Sequence, residues 1–228
     1  MSARLKTSVS AMLALLALAG CAANPESPQA RTPPRDDAAG PRALLARWHR
    51  SLVAGDKTQY LACFAGSKDD LVLALAVFEA IQANYAFHNA VVSTYGPDGW
   101  KAFQASEGAR IDLFPREGQW LARITVVPMG SMAFGYLPRG RVPMHMLRED
   151  GAWRIQAASL AVPGFEPKRA ADYLFRWAAT LRRLIPQITA RGVTADKATD
   201  DVKEDFKARV APEERPAAAE AVHAFLTP

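Results

Sequence analysis

Residues 131–158 read SMAFGYLPRGRVPMHMLREDGAWRIQAA and carry the clearest strand pattern in the chain. Apolar and polar side chains alternate there in short runs, which indicates β-strands because successive side chains of a strand point to opposite faces. The runs are separated by PRG at 138–140 and REDG at 148–151, sequences typical of tight turns. Connections this short join antiparallel strands, so the stretch predicts a β-meander.

The two-residue period also extends towards the N-terminus of this stretch. Turn sequences at 115–118 (PREG) and 128–130 (PMG) divide it into further short runs. We predict five strands in all, at Ala109–Phe114, Gln119–Val127, Met132–Tyr136, Arg141–Leu147 and Ala152–Ala158. The sheet is therefore expected to be antiparallel throughout.

Helical periodicity precedes these strands. We predict a helix from near Pro41 to Gly55, a short helix that begins at Asp56 and includes Phe64, and a long helix that starts at a capping box at Ser67. The long helix is expected to end at Gly96-Pro97. Its apolar stripe steps by threes and fours, which places the following residues on one face towards the core: Ala74, Phe78, Ile81, Tyr85, His88, Val92 and Tyr95.

Helical periodicity returns after the strands, beyond Pro167. The expected buried stripe of this second long helix is Ala170, Leu174, Trp177, Leu181, Leu184 and Ile188, and Pro186 is expected to kink or end the helix. Residues 194–210 and 214–226 predict two shorter amphipathic helices. The predicted fold class is α+β, with N-terminal helices packed on a curved antiparallel sheet and additional C-terminal helices from about residue 167.

The order of helices followed by a meander that ends in D-G-x-W (Asp150-Gly151-Ala152-Trp153) resembles the NTF2-like, or cystatin-like, α+β superfamily. The resemblance covers about residues 43–160. It implies a cone of helices and curved sheet whose mouth can hold a small ligand. This superfamily includes enzymes, transport factors and adaptors, so the resemblance assigns no activity by itself.

The N-terminus has the three zones of an export signal: two basic residues, an apolar run at 11–19, and small residues before a cysteine. The apolar run is shorter than the roughly 20 residues that a membrane-spanning helix needs. Leu18-Ala19-Gly20-Cys21 resembles the lipobox of bacterial lipoproteins. The resemblance implies that residues 1–20 are a signal peptide and that Cys21 receives diacylglycerol and fatty-acid chains such as palmitate.

Lipidation of Cys21 would hold the mature protein on a membrane, because two or three acyl chains anchor a protein stably. Ala22 follows the cysteine, which in the lipoprotein family favours the outer membrane where a cell has one. Residues 21–42 contain five prolines and no apolar period, which indicates an extended linker ahead of a single domain at 43–228. We expect an envelope lipoprotein on the periplasmic face.

The composition of the mature chain restricts the class of partner. Loss of Arg4 and Lys6 with the signal leaves 26 of 28 basic residues against 23 acidic ones, a net charge of +3. This charge is too small to indicate a nucleic-acid-binding protein. Since Cys21 is used by the anchor, Cys63 has no partner for an internal disulfide. A protein partner or a small apolar ligand is expected, and the oligomeric state stays open.

Few residues form a pattern typical of catalysis. The sequence contains no HExxH or CxxC and its four histidines occur singly, so we expect neither a metal nor a cofactor. Enzymes of the NTF2-like type place polar groups inside the cone, which makes His88, Tyr85 and Asp112 the candidates for a catalytic set. Each also has a structural alternative. His88 fits a core histidine that is hydrogen-bonded to the backbone, Tyr85 fits a core aromatic, and Asp112 fits a carboxylate that faces solvent. We expect His49 to be solvated and His145 to lie on the outer face of its strand.

Two functions follow from these observations. The absence of a convergent polar set favours a non-enzymatic envelope lipoprotein that binds a protein partner or a small apolar ligand. The alternative is an isomerase or dehydratase that uses His88, Tyr85 and Asp112; a pocket that brings these three together would favour it. The methionines near the strands, Met129, Met132, Met144 and Met146, suit either an adaptable binding surface or core packing.

Overall fold

The chain folds as an α+β domain, and a computed structural model describes residues 40–105, 111, 113–115, 118–137 and 143–226. These residues belong to one unit, Asp36–Pro228. The described helices are α1 (Pro41–Ala54), α2 (Lys57–Leu61), α3 (Lys68–Ala105), α4 (Pro167–Thr189), α5 (Ala195–Ala208) and α6 (Arg215–Leu226). The described strands are β1 (Phe64–Ala65), β2 (Thr125–Met129), β3 (Met132–Tyr136), β4 (Met144–Glu149) and β5 (Ala152–Gln156). The predicted lipidation site, Cys21, and the candidate Asp112 lie outside the described residues.

The five strands form one sheet in the order β1-β5-β4-β3-β2. Strands β2 to β5 make the predicted antiparallel meander, and the last turn has Asp150 and Gly151 at positive φ, as a tight D-G hairpin turn requires. Strand β1 pairs parallel to β5, so the sheet is mixed and the prediction of an antiparallel sheet is wrong at this edge. The two residues of β1 are too few to show the two-residue period of a strand, and the strand they pair with, β5, lies far away in the sequence.

The segment that contains β1 was assigned to the second helix, which is wrong. Helix α2 ends at Leu61, and the Cys63 carbonyl accepts a hydrogen bond of 2.8 Å from the Ile155 amide of β5. Phe64 keeps the burial that the apolar pattern predicted, and its ring packs against Tyr60 at 5.1 Å. The pattern therefore predicted which side chains are buried, whereas the backbone conformation depends on a long-range pairing.

The first two predicted strands are also corrected. The described part of Ala109–Phe114 contains no strand, and residues Gly118–Arg123 form a 3₁₀ helix instead of the start of a strand. Ile111, Phe114 and Ile124 are buried all the same. These apolar residues anchor a connecting segment on the core. Their spacing along the sequence imitates the two-residue period of a strand.

Helix α3 runs along the core of the domain. It begins at the predicted capping box, where the Asp70 amide donates to Ser67 Oγ at 3.2 Å and Asp70 accepts from the Ser67 amide at 3.2 Å. At Gly96, whose φ is 75°, the helix breaks and then resumes as far as Ala105, so Gly96-Pro97 forms a kink between two helical parts. Among the described helices, α3 is long and apolar enough to cross a membrane, yet most of its apolar stretch is buried inside the domain. We describe it as a core helix.

The C-terminal helices complete this core. Helix α4 packs along α3, all six residues of its predicted stripe are buried, and it continues through Pro186 to Thr189. Helix α5 packs on both α3 and α4, and α6 packs on α4. The helices after residue 167 are therefore integral to the domain.

A buried hydrogen bond joins the two long helices, in which Trp177 Nε1 donates to Asn84 Oδ1 at 2.9 Å. Replacing Asn84 with leucine keeps the size of the side chain but removes the acceptor. We expect the free energy of unfolding to fall by about 1–3 kcal/mol, the usual cost of leaving a buried donor unsatisfied, as measured by urea unfolding. Asn89→Leu on the exposed side of α3 is the matched control and should change stability by less than about 0.5 kcal/mol. Equal stabilities of the two variants would contradict the structural role of this bond.

Candidate functional site

A cleft of about 280 Å³ opens beside the sheet, where α1, α3 and β4 meet residues 159–163 and α6. Its floor is made of buried, mainly apolar side chains from distant parts of the chain: Trp48, Tyr60, Val77, Ile81, Phe114 and Met144. Its rim includes the polar side chains of Ser159, Glu220 and His223. The volume lies near the lower end of the roughly 300–1,000 Å³ range of small-molecule sites, so the cleft suits a small ligand.

The floor of the cleft is a set of mutually packed aromatic rings. Trp48, from the apolar stripe of α1, meets Phe114 edge-on with ring centroids 5.8 Å apart. The Tyr60 ring packs on Phe78 with ring centroids 4.9 Å apart. Burial raises the pKa of Tyr60 far above its ordinary value, so the phenol stays neutral across the physiological range. The floor is therefore closely packed and uncharged.

The rim is polar, unlike the floor, because α6 brings two titratable side chains to the opening. Glu220 and His223 are one helical turn apart, and both are exposed. On the opposite strip of rim, Ser159 Oγ donates to the Gln156 carbonyl at 2.7 Å. Phe225 of α6 contacts Phe165 at 6.4 Å, which holds the helix against the segment that leads into α4. An apolar floor below a polar rim fits a ligand with an apolar body and one polar end.

Two of the three candidate catalytic residues, Tyr85 and His88, do not line this cleft. Tyr85 is buried, and its hydroxyl donates to the Phe114 carbonyl at 2.6 Å. The half-buried ring of His88 packs edge-on against Trp100 at 4.7 Å, and its Nδ1 lies 3.2 Å from Asn89 Oδ1. Neither side chain lines the cleft. Asp112, the third member of the set, lies outside the described residues.

The structure corrects the prediction for His49 and confirms the prediction for His145. His49 was expected to be solvated, but it is buried, and its Nε2 donates to the Pro115 carbonyl at 2.8 Å. The buried face of α1 is broader than its apolar stripe because residues 113–115 cover it. His145 is exposed on the outer face of β4, as expected, with its ring edge-on to Phe134 at 5.0 Å.

Metal chemistry has no site in the part of the chain that the structure describes. Within it, no three His, Cys, Asp or Glu side chains are grouped so that they could hold an ion. The cleft itself offers only Glu220 and His223 as ligating side chains, and both are exposed.

Cys63 lies under the domain surface near β1 and is fully buried. Its Sγ donates a weak hydrogen bond to the Gln59 carbonyl at 3.3 Å, and burial raises the pKa of the thiol. A raised thiol pKa lowers the fraction of reactive thiolate at neutral pH. The residue is a packed thiol rather than a nucleophile.

This packing predicts slow chemistry at Cys63. In the folded protein, the thiol should react with a disulfide-exchange reagent far more slowly than in the unfolded chain, and the rate should rise with pH as the thiolate forms. The absorbance of the released thiolate measures this reaction. Cys21 is the other cysteine of the chain, so the measurement uses a Cys21→Ser background, in which a further Cys63→Ala change should remove the signal of the unfolded protein. Rapid reaction of the folded protein would contradict the assignment.

Comparison with known proteins adds no relative. The chain matches no protein-family model, no curated protein and no solved structure.

Sequence reasoning missed the rim of the cleft. The amphipathic helix at 214–226 was predicted, and it corresponds to α6 at Arg215–Leu226. Its polar residues Glu220 and His223 gave no signal, because a charged residue on an exposed helix face is ordinarily solvated. Only the packing of α6 on α4 brings these side chains to the opening beside Trp48 and Tyr60.

Proposed function

We propose that the protein is a lipid-anchored envelope protein whose cleft binds a small, largely apolar ligand with one polar end. The observation that carries the proposal is the cleft of about 280 Å³, with its aromatic floor and polar rim. The lipobox-like sequence Leu18-Ala19-Gly20-Cys21 supports the location. The function is binding rather than catalysis, at the periplasmic side of a membrane.

Burial of apolar surface is the main source of affinity in this proposal. Each Å² of apolar surface removed from water contributes about 25 cal/mol. That surface belongs mainly to the ligand and to the half-buried lining residues Leu137, Leu160 and Phe225, because the floor itself is already shielded from water. Glu220 and His223 then select the polar end of the ligand by hydrogen bonding at the opening. The proposed location in the cell envelope fits such a ligand, because membranes contain amphipathic molecules.

The architecture supports a finer proposal, in which α1, α3 and the sheet form a cone of the NTF2-like type with the cleft at its mouth. Helix α1 contacts β2 and β5, and α3 contacts β1, so both helices cover the same sheet. Gly135 of β3 faces α1, since Leu45 lies at van der Waals distance, 3.6 Å, from where a Cβ would stand. In this view, α6 narrows the mouth from the C-terminal side.

The isomerase or dehydratase alternative has less support from the geometry. It needs His88, Tyr85 and Asp112 around one substrate, whereas the Tyr85 hydroxyl is bonded to a backbone carbonyl and His88 packs on Trp100. General acid–base catalysis requires groups within hydrogen-bond reach of the reacting atoms. We therefore retain binding as the function.

A titration with a neutral fluorescent naphthylamine probe tests the proposal. The full-length protein should enhance the emission of the probe and saturate at one probe for each chain. A small amphipathic molecule that co-purifies with the protein should be detectable by mass spectrometry of a denatured sample, and it should displace the probe. A linear, unsaturable increase in emission would indicate surface adsorption and would reject a binding cleft.

A further inference from the structure

The β2–β3 hairpin exposes a continuous apolar surface. Among the described residues, the exposed large hydrophobic side chains all belong to this hairpin: Val127 (41%), Met129 (56%), Met132 (41%) and Tyr136 (47%). The strand register pairs Met129 with Met132, Val127 with Phe134, and Thr125 with Tyr136, so these side chains share one side of the sheet. We refer to these six residues as the hairpin face.

The opposite side of β3 is buried, whereas on the same side of β2 Val126 is half-buried and Pro128 is exposed. Ala133 and Gly135 point inwards, where Leu45 of α1 lies against Gly135. The domain therefore uses one side of β3 for its own core and leaves the hairpin face to solvent. The largest exposed apolar patch on a folded monomer typically covers a few hundred Å², and it is often a functional surface.

The contact is made by side chains rather than by strand addition. Strand β2 is the free edge of the sheet, and its position would ordinarily invite a further strand. Pro128 lies in this edge strand and has no amide hydrogen to donate. A strand added alongside β2 would lose a ladder hydrogen bond there. The hairpin face, and not the hairpin edge, is the docking element.

The charge pattern around the hairpin indicates the type of partner. Residues 124–138 contain no charged side chain, and arginines at 123 and 139 flank this stretch in the sequence. Arg123 is exposed just before the base of the hairpin, whereas Met129 and Met132 adjoin its turn. Apolar residues bracketed by basic residues fit an anionic lipid surface, with tyrosine at the depth of the headgroups.

The neighbouring acidic residues constrain the orientation. Glu149 and Asp150 are exposed at the turn between β4 and β5. This turn lies at the same end of the sheet as the β2–β3 turn, where the Arg148 amide donates to the Ser131 carbonyl at 2.8 Å, but it is farther than β3 from the β2 edge. Repulsion from anionic headgroups would keep this turn in water. The β2 side of the hairpin face, with Val127 and Met129, would therefore enter the interface more deeply than the side next to β4.

The area of the hairpin face also argues for a membrane rather than a protein. Four partly exposed side chains present on the order of a few hundred Å², whereas a stable protein interface needs roughly 800 Å² from each partner. A weak contact is sufficient when a tether supplies a high effective concentration. The residues from Cys21 to Gly40 can span at most about 65 Å when fully extended, which keeps the domain close to the bilayer.

We infer that the hairpin face is a membrane-docking surface, which lays the domain against the anionic lipid bilayer that holds its anchor. The inference rests on the proposed lipid anchor at Cys21, and it adds a second, reversible contact. In the docked state, the domain has one preferred orientation. Val127, Met129 and Met132 then enter the boundary between headgroups and acyl chains.

Site-directed spin labelling of the full-length lipidated protein tests this inference. A nitroxide is placed at Met129→Cys and, in a matched variant, at Lys203→Cys, which is exposed on α5. Each protein is reconstituted into vesicles of phosphatidylethanolamine with phosphatidylglycerol. We expect the label at 129 to lose access to an aqueous nickel reagent and to gain access to oxygen, while the label at 203 stays open to nickel. Vesicles that lack phosphatidylglycerol should weaken the protection at 129.

Three outcomes would overturn the inference. Equal nickel access at 129 and 203 in an acylated sample would reject the docking surface and leave the anchor intact. Strong spin–spin coupling between labels at 129 would show that a second copy covers the face instead. Intact mass spectrometry of the same sample reports the acyl chains on Cys21, and an unacylated N-terminus would reject both the anchor and the docking that depends on it.

Discussion

Serine in place of Cys21 is expected to release the protein from the membrane into the soluble envelope fraction or to mislocalise it. Serine has no thiol to accept diacylglycerol, so the variant loses its acyl chains. Each buried CH₂ contributes about 0.8 kcal/mol to membrane affinity, which makes the loss of two or three chains far larger than any contact of the domain surface. Fractionation of cells and intact mass of the N-terminal peptide measure the effect.

The other cysteine provides the control for this experiment. Cys63→Ala removes a buried thiol that the anchor does not use, so membrane retention and acyl mass should both stay as in the parent protein. An uncleaved signal could hold the Cys21→Ser chain on the membrane, and the mass of the N-terminal peptide separates that case from lipidation. Membrane retention of Cys21→Ser with an unchanged acyl mass would refute the anchor.

Tryptophan in place of Ala224 is expected to abolish binding of the apolar probe. Ala224 lines the cleft from α6, and an indole there would occupy much of the space of about 280 Å³ above the aromatic floor. We expect the affinity to fall at least tenfold, which corresponds to about 1.4 kcal/mol. The fluorescence titration of the neutral naphthylamine probe measures this loss.

Ala219→Trp is the matched control for this variant. Ala219 is exposed on the same helix and does not line the cleft. Both substitutions carry the same cost in helix propensity, below about 1 kcal/mol, so a difference between them reports the cleft. Equal probe affinities of the two variants would place the binding site elsewhere. A loss of binding by both would indicate that α6 itself has been disturbed.

Local interactions explain which elements could be predicted. Gly55 ends α1 with a φ of 70°, the Ser67–Asp70 capping box starts α3, and Asp150-Gly151 forms the turn between β4 and β5. Each of these features depends on residues within a few positions of one another. The α+β class, the antiparallel meander and the buried stripe of α4 followed from such patterns together with apolar periodicity.

The incorrect predictions share a different cause. Strand β1 exists because the Cys63 carbonyl meets the Ile155 amide, and His49 is buried because residues 113–115 lie across α1. Apolar alternation predicted the burial of Ile111 and Phe114 but could not distinguish an anchored connection from a strand. Side-chain burial and backbone pairing are separate properties. The spacing of apolar residues along the sequence indicates mainly which side chains are buried.

The sequence by itself determined the helices, the meander and the expectation of an anchor at Cys21, because capping, turn formation and apolar period act over neighbouring residues. The tertiary structure alone decided the cleft, which needs Trp48, Tyr60 and Phe114 to meet Glu220 and His223 across most of the domain. It also decided that Met144 and Met146 fill the core, whereas Met129 and Met132 face solvent on the hairpin. Both results depend on which surfaces remain uncovered once the helices have packed, and no local pattern contains that information.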